Sequence, residues 1–525
     1  MDSQFVDVDT QLSKQGAERA SKPFLISIDQ GRQITFGELN EISNQIACFL
    51  HERGVARGDR VSLLVENTIE CVLVYLGVQR YGAVANPVNI QVNAKNVAHI
   101  LHDVEPAMVV YNESDSTFAS ALRESAPQAQ WVSYHPLDAA VKTSESSLFT
   151  ALETVSPASW RDQRDGTDAF TVLTYTSGTS GSPKGVIHTR ESYFRCTEAT
   201  TDMVGLTHGD RILEFRNLSW ISPQVLTVGC SLFTGATAVI ASTFSRSQFL
   251  DWLETYEITV AVGVPTVLNM LLEDKEPVDP HRFPKLRFMT SSTAPLSIER
   301  HREFEAHYGI PIMQYYGMSE AGFMAGNRED RHKLGSVGPA TLYQMLRIED
   351  EEGRRLPPGE PGQIVVGGKQ MAWGYLLGRG QLEPIPDRTG FPTGDLGFLD
   401  EEGFLVITGR TKDIIIRGGV NIAPTEVNEA LMAHPAVREA ATIGVPDRIY
   451  GEEIVSFVEL RQPIGIDAIL EHCRRKLSDY KMPRKVIAVE EIPKSDRGKV
   501  LTSALRELWH QQAIHQASGK SSSLG

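Results

Sequence analysis

Residues 175–185 read Tyr-Thr-Ser-Gly-Thr-Ser-Gly-Ser-Pro-Lys-Gly. Five aliphatic hydroxyls (Thr176, Ser177, Thr179, Ser180, Ser182) and three glycines (Gly178, Gly181, Gly185) crowd together there, with Lys184 near the end. Glycine lets backbone N–H groups wrap an anion, and hydroxyls add further donors, so the segment suits a phosphate chain. An apolar, strand-like stretch from Ala169 to Leu173 precedes it. The plain alternative is a flexible Ser/Gly linker, but a linker seldom closes on Pro-Lys-Gly-Val followed by a helix. No GxxxxGK[ST] pattern fits, which disfavours a P-loop kinase or ATPase.

Three later segments carry complementary chemistry. Residues 314–320 are Gln314-Tyr315-Tyr316-Gly317-Met318-Ser319-Glu320. An aromatic ring there can stack on a purine, a hydroxyl can donate to phosphate, and a carboxylate can hold magnesium. Residues 391–424 place Asp395 in a Thr-Gly-Asp turn and Arg410 after it, a carboxylate for ribose hydroxyls and a cation for sugar or phosphate. Residues 492–500 end with Lys499 behind Gly498. Taken singly, each of these three has a bland reading as a turn cap or a solvated surface charge. Their order along one chain is much more specific.

The elements that must position these residues alternate along the first half. Ile42, Ile46, Phe49 and Leu50 recur at helical spacing, with Gly54 as a stop. Residues 60–67 read as a strand, 69–82 as a helix, and 83–89 as a short strand and turn, with further strands at 107–114 and 130–136. The same rhythm resumes after Thr171, with strands around 212–215, 236–242, 258–265 and 286–292 and helices near 246–256 and 298–308. From about Gly335 the pattern becomes that of antiparallel hairpins with glycine-containing turns. After Gly409 it is mixed again, ending as strand, loop and helix.

Composition narrows the partners. The chain has 525 residues and a formal net charge of −15, a surface that repels nucleic acid and anionic membrane. No run of about 18 apolar residues occurs, so no membrane span is expected. The N-terminus has no secretion pattern, which points to the cytoplasm. The five cysteines (Cys48, Cys71, Cys196, Cys230, Cys473) are scattered, as in a reducing compartment, and read as buried small hydrophobes rather than metal ligands.

Together the four segments resemble the adenylate-forming superfamily: acyl-CoA synthetases, aryl-CoA ligases, beetle luciferases and peptide-synthetase adenylation domains. The resemblance runs from about residue 30 to about 507, and is nearest to medium-length acyl- and carnitine-type CoA ligases. It implies an α/β fold, with a large N-terminal domain of two α/β subdomains plus a β-barrel-like subdomain, hinged to a small C-terminal α+β domain. Residues 1–409 would form the adenylation domain and 410–525 the mobile domain. The implied activity uses ATP, magnesium and coenzyme A to convert a small carboxylic acid first to its acyl-adenylate and then to a thioester. Alternatives are delivery of the acyl group to a carrier protein or other acceptor, and a silent nucleotide-binding regulator.

The resemblance also implies roles. Thr176, Ser177, Gly178, Thr179, Ser180, Gly181 and Lys184 would hold the β- and γ-phosphates. Glu320 would hold magnesium and Ser319 the α-phosphate, Ser standing where the family more often has Thr. Tyr316 would stack on adenine, with Gln314, Tyr315 and Gly317 beside it and Ala294 and Pro295 nearby. Asp395 and Arg410 would hold ribose and phosphate, and Lys499 would bridge the acyl carboxylate and α-phosphate. Lys412 would be the hinge, and Arg417, Gly418 and Gly419 a wall of the pantetheine tunnel. The chain departs from the family at the acyl pocket. Ser219 and Trp220 stand where many relatives have Phe-His, with Ser222 just beyond, and Ser292 and Thr293 replace two usual glycines. No acid occurs between Asn217 and Leu226 to receive an amino-acid ammonium group. Arg216 can pair with a second acidic group on the substrate or stand solvated, and the sequence leaves both open.

Overall fold

The computed structural model describes residues 5–136, 147–155, 166–176, 184–273, 279, 282–495 and 498–521. Two eight-stranded mixed sheets dominate. In the first, Val84–Asn89, Arg60–Val65, Met108–Asn112, Gln130–Tyr134 and Phe170–Thr176 run parallel to their neighbours. Lys184–Thr189 then pairs antiparallel with Phe170–Thr176, so Thr176 lies opposite Lys184. The residues of Arg60–Val65 after the first are all buried, the mark of a parallel strand covered on both faces.

In the second sheet, Pro23–Ser27, Thr237–Ile240, Arg211–Glu214, Val260–Ala261, Phe288–Ser291 and Ile312–Met318 are parallel, with antiparallel strands at both edges. One large apolar cluster draws residues from both sheets and from the helix Ile69–Tyr81, every residue of which is buried. Local chemistry fixes the helix ends. Thr35 and Glu38 form a capping box on Phe36–Glu52, and Gly82, Gly205, Gly235 and Gly309 close helices in the left-handed region. The helix Val8–Glu18 and the hairpin Pro23–Thr35 precede the first elements legible in the sequence.

The expected hairpins form a four-stranded antiparallel sheet of Gln344–Glu349, Gly362–Gly368, Phe391–Leu399 and Leu405–Arg410. A short turn, Thr411–Asp413, follows. Beyond it lies a separate small domain. Its five-stranded sheet joins Val420–Ile422, Ile415–Arg417, Gly451–Leu460 and Val437–Asp447, with Lys485–Val489 added in parallel. Two apolar clusters of its own pack on that sheet. Among the described residues no helix is long and apolar enough to cross a membrane.

Candidate active site

The site gathers where the parallel strands of both large sheets end. Thr176 and Lys184 face each other at the mouth of the hydroxyl-rich segment, Thr176 Oγ1 donating to the Lys184 carbonyl at 3.5 Å. Ser177, Gly178, Thr179, Ser180 and Gly181 lie outside the described residues. Lys184 Nζ stands 5.9 Å from the centroid of the Tyr375 ring. The Tyr375 hydroxyl donates to Glu320 Oε1 at 3.1 Å. Burial pushes the Glu320 carboxyl up, opposed by hydrogen bonds and by the charges of Lys184 and Lys499. The charges of two lysines from distant segments thus favour the ionised form of this partly buried carboxylate.

Ser319 precedes that carboxylate, and its carbonyl accepts from His188 Nε2 at 2.8 Å. Burial lowers His188 to about 4, so the ring is neutral. On the strand Ile312–Met318 neighbouring side chains alternate between faces. Tyr316 turns towards the antiparallel sheet and donates its hydroxyl to Asp395 Oδ2 at 2.6 Å. Tyr315 turns the other way, into the large core, edge-on to Phe323. Only Tyr316 of the pair is thus brought beside Asp395. Gln314 is buried and its Nε2 lies 3.3 Å from His301 Nδ1, while His301 Nε2 lies 3.0 Å from Glu305 Oε1. Gly317 has a reason to be glycine: a Cβ there would sit 2.4 Å from the Gly322 carbonyl oxygen.

Asp395 and Arg410 are direct cross-strand partners, and their side chains pair at 3.0 Å. Lys412 follows on the short turn, its pKa lowered first by burial. From the small domain, Lys494 and Val500 form an antiparallel bridge, and Ser495 N donates to the Lys499 carbonyl at 2.8 Å. Gly498 lies against the large domain: a Cβ there would be 2.9 Å from Thr266 Oγ1. The two domains also meet through Glu273, which pairs with Arg438 at 3.4 Å and Arg461 at 3.6 Å. Arg300 Nη2 adds a hydrogen bond to the Arg438 carbonyl at 3.2 Å. Arg417, Gly418 and Gly419 are not brought to this cluster. Arg417 is engaged inside the small domain by Glu453, the Tyr450 ring and the Tyr480 carbonyl, and Gly418 donates to the Tyr450 carbonyl.

Trp220 and Ser222 flank the start of a short helix that widens into a π-helical turn over Gln224–Gly229. Such turns are frequent near functional sites. Just past the strand Phe288–Ser291, Ser292 accepts from Arg216 Nη1 at 3.3 Å. Thr293 adopts φ +78°, and its buried Oγ1 has no hydrogen-bond partner among the described residues. Ala294 and Pro295 continue that loop, Pro295 exposed. Arg216 is not solvated: its side chain is 2% exposed and paired with Glu214. The residues that sequence reasoning missed are Tyr375, His188, Thr266, Glu214 and Glu273. None lies in a motif with its own chemical signature.

As to a metal, no cluster of three or more His, Cys, Asp and Glu side chains gathers among the described residues. Glu320 offers a single buried carboxylate flanked by cationic groups, which fits an ion that arrives on nucleotide phosphates and keeps most of its waters, as magnesium does.

The profile of the family described as AMP-binding enzyme matches residues 12–376, and that of the AMP-binding enzyme C-terminal domain matches 426–499. The chain belongs to the AMP-binding enzyme family, the adenylate-forming acid–CoA ligases. A sulfoacetate–CoA ligase from Cupriavidus necator is 32% identical over 496 residues, covering 93% of this chain and 95% of that one. A long-chain-fatty-acid–CoA ligase, FadD13 of Mycobacterium tuberculosis, is 29% identical, covering 90% and 93%. The ATP-bound structure of MatB from Rhodopseudomonas palustris superposes with a TM-score of 0.86 at 28% identity, covering 96% of this chain and 99% of that one. The chain is an ATP-dependent enzyme that joins a carboxylic acid to coenzyme A.

Proposed function

We propose that this conformation is the one that makes the acyl-adenylate, with Lys184, Glu320 and Lys499 as its catalytic residues. The observation that carries this is geometric: Lys184 stands over the Tyr375 ring whose hydroxyl holds Glu320, and Gly498, next to Lys499, packs on Thr266 of the large domain, although Lys184 and Lys499 are more than 300 residues apart. A carboxylate attacking the α-phosphorus of ATP needs no general base, because it is already ionised at neutral pH. The difficulty is that two anions must meet, so positioning and electrostatic stabilisation carry the rate. Lys499 supplies positive charge between the acid and the α-phosphate. Thr176, Lys184 and the segment between them hold the outgoing pyrophosphate. Glu320 holds magnesium, which neutralises phosphate charge when bound, and the Tyr375 hydroxyl fixes the carboxylate's orientation. Tyr316 presents its ring to adenine while its hydroxyl positions Asp395 for the ribose. Arg410, paired with Asp395, keeps that carboxylate compact and reaches the sugar-phosphate.

For the second half-reaction the Lys499 loop leaves and coenzyme A enters. The sheet keeps Arg410, so we place the domain boundary just past the expected 409/410, on the turn Thr411–Asp413, with the pivot at Lys412, where one sheet has ended and the next has not begun. The ties seen here, Glu273 with Arg438 and Arg461, are partly exposed ion pairs worth about 0–1 kcal/mol each, weak enough to exchange. After rotation the paired glycines Gly418 and Gly419 border the thiol channel, where side chains would block it. Free, mostly buried cysteines suit a reducing compartment, the cytoplasm. The relatives include ligases of a doubly charged and of a singly charged acid, so they leave the acid open.

The test is release of AMP and pyrophosphate from ATP, magnesium and a panel of acids, with and without coenzyme A. Thioester formation with coenzyme A is expected. Pyrophosphate release with no thioester would move the reading to a carrier-protein acceptor.

A further inference from the structure

We infer that the acyl pocket selects acids whose tail bears no second negative charge, and that the Glu214–Arg216 pair sets this selectivity. The inference rests on the ligase reading and narrows its acid.

Arg216 lies just beyond the strand Arg211–Glu214, at the head of the loop leading to Trp220. The two side chains are 2% and 3% exposed. They pair as two forks: Nε donates to Oε1 at 2.9 Å and Nη2 to Oε2 at 2.7 Å. The carboxylate also accepts from the backbone N–H groups of Phe215 (3.1 Å) and Arg216 (2.9 Å) and from Thr227 Oγ1 (2.9 Å). Its charge cancels that of the guanidinium. Towards the acyl loop the pair extends one N–H, from Nη1 to Ser292 Oγ.

The pair is held in place from behind. Asn67 Nδ2 donates to the Arg216 carbonyl at 2.9 Å and its Oδ1 accepts from Leu218 N at 3.1 Å. His188, the titratable ring behind Ser319, is neutral and adds no charge. A second carboxylate or sulfonate on the acid would therefore meet a pair with no net charge. If Arg216 turned to the substrate, Glu214 would become the buried anion without a partner, and either arrangement leaves one charge uncompensated. A neutral tail meets neither cost and finds the hydroxyls of Ser292 and Thr293 instead.

The experiment compares size-matched acids on the wild-type enzyme, reading kcat/KM for pyrophosphate release: propionate with malonate, butyrate with succinate, benzoate with phthalate. In each pair that reacts, the singly charged acid is expected to win by on the order of a hundredfold, because the second charge of its partner acid is buried uncompensated. Glu214→Gln removes the cancelling charge and should narrow or reverse that ratio. A wild-type enzyme that uses malonate, succinate or phthalate as well as its partner acid overturns the inference, whether or not Glu214→Gln folds. Silence with every acid would overturn the ligase reading itself, and this inference with it.

Discussion

Thr293 is held with φ +78°, a backbone conformation that β-branched residues avoid. The strain of that conformation is about 1–2 kcal/mol for an L-residue. Its Oγ1 is buried with no partner among the described residues, which adds about 1 kcal/mol at the low end of the cost for an unsatisfied hydroxyl. Replacing Thr293 with Gly removes both terms. It also loses about 0.5–1 kcal/mol to the greater freedom of an unfolded glycine and about 0.8 kcal/mol of methyl burial. The net expectation is a gain of about 1 kcal/mol, which in a domain of this size is a rise of about 1–3 °C in thermal midpoint. Thr293→Ala separates the terms, because it sheds the hydroxyl but keeps the strained Cβ, and it should gain less than Thr293→Gly. The assay is thermal or urea unfolding of the three proteins side by side, with acid KM measured in parallel. The stabilised glycine variant should bind its acid less well, as expected where strain is kept at a functional site. A Thr293→Gly protein no more stable than Thr293→Ala would refute the reasoning.

Two other outcomes are expected. Because burial raises Glu320 above its ordinary value of 4.5, the folded protein favours its protonated form more than the unfolded chain does. Its contribution to stability is therefore present below that value and is lost as pH rises through the folded value. Magnesium-nucleotide binding needs the carboxylate, so KM for ATP should fall as pH rises through the same window. Glu320→Gln should flatten both dependences; a KM profile that keeps its slope in that variant would remove Glu320 from the metal. Lys412→Pro fixes φ at the turn Thr411–Asp413 and should leave pyrophosphate release near normal while blocking thioester formation. Equal loss of both half-reactions would place the pivot elsewhere.

Much of the framework was legible because its signals are local. The capped helix Phe36–Glu52, the buried strand Arg60–Val65 and the helix Ile298–Tyr308 follow from apolar period and turn residues alone. The four motifs were legible because each concentrates residue types with distinct chemistry. What escaped depends on which distant strands lie together. Nothing in the sequence around Tyr375 says that its hydroxyl reaches Glu320, since the strand Gly374–Leu376 reaches the first sheet by pairing with the distant Lys184–Thr189. Two points were within reach. Adjacent residues on a strand face opposite ways, so Tyr315 and Tyr316 cannot both lie over one nucleotide. Glu214 and Arg216 are opposite charges two residues apart where a strand gives way to a loop, which makes their pairing natural. The polar helix Val8–Glu18 offers too few apolar positions to stand out; Leu12 is its one fully buried large apolar residue.

The convergence of Lys499 with Lys184 on Glu320 is most directly tested by splitting the two half-reactions in Lys499→Ala. With ATP, magnesium and acid, pyrophosphate release should fall by about a hundredfold or more, the scale for removing one group that stabilises transition-state charge. Given chemically made acyl-adenylate and coenzyme A, the same variant should form thioester at close to the wild-type rate. If both rates fall together, or if pyrophosphate release survives, Lys499 does not work where the structure puts it.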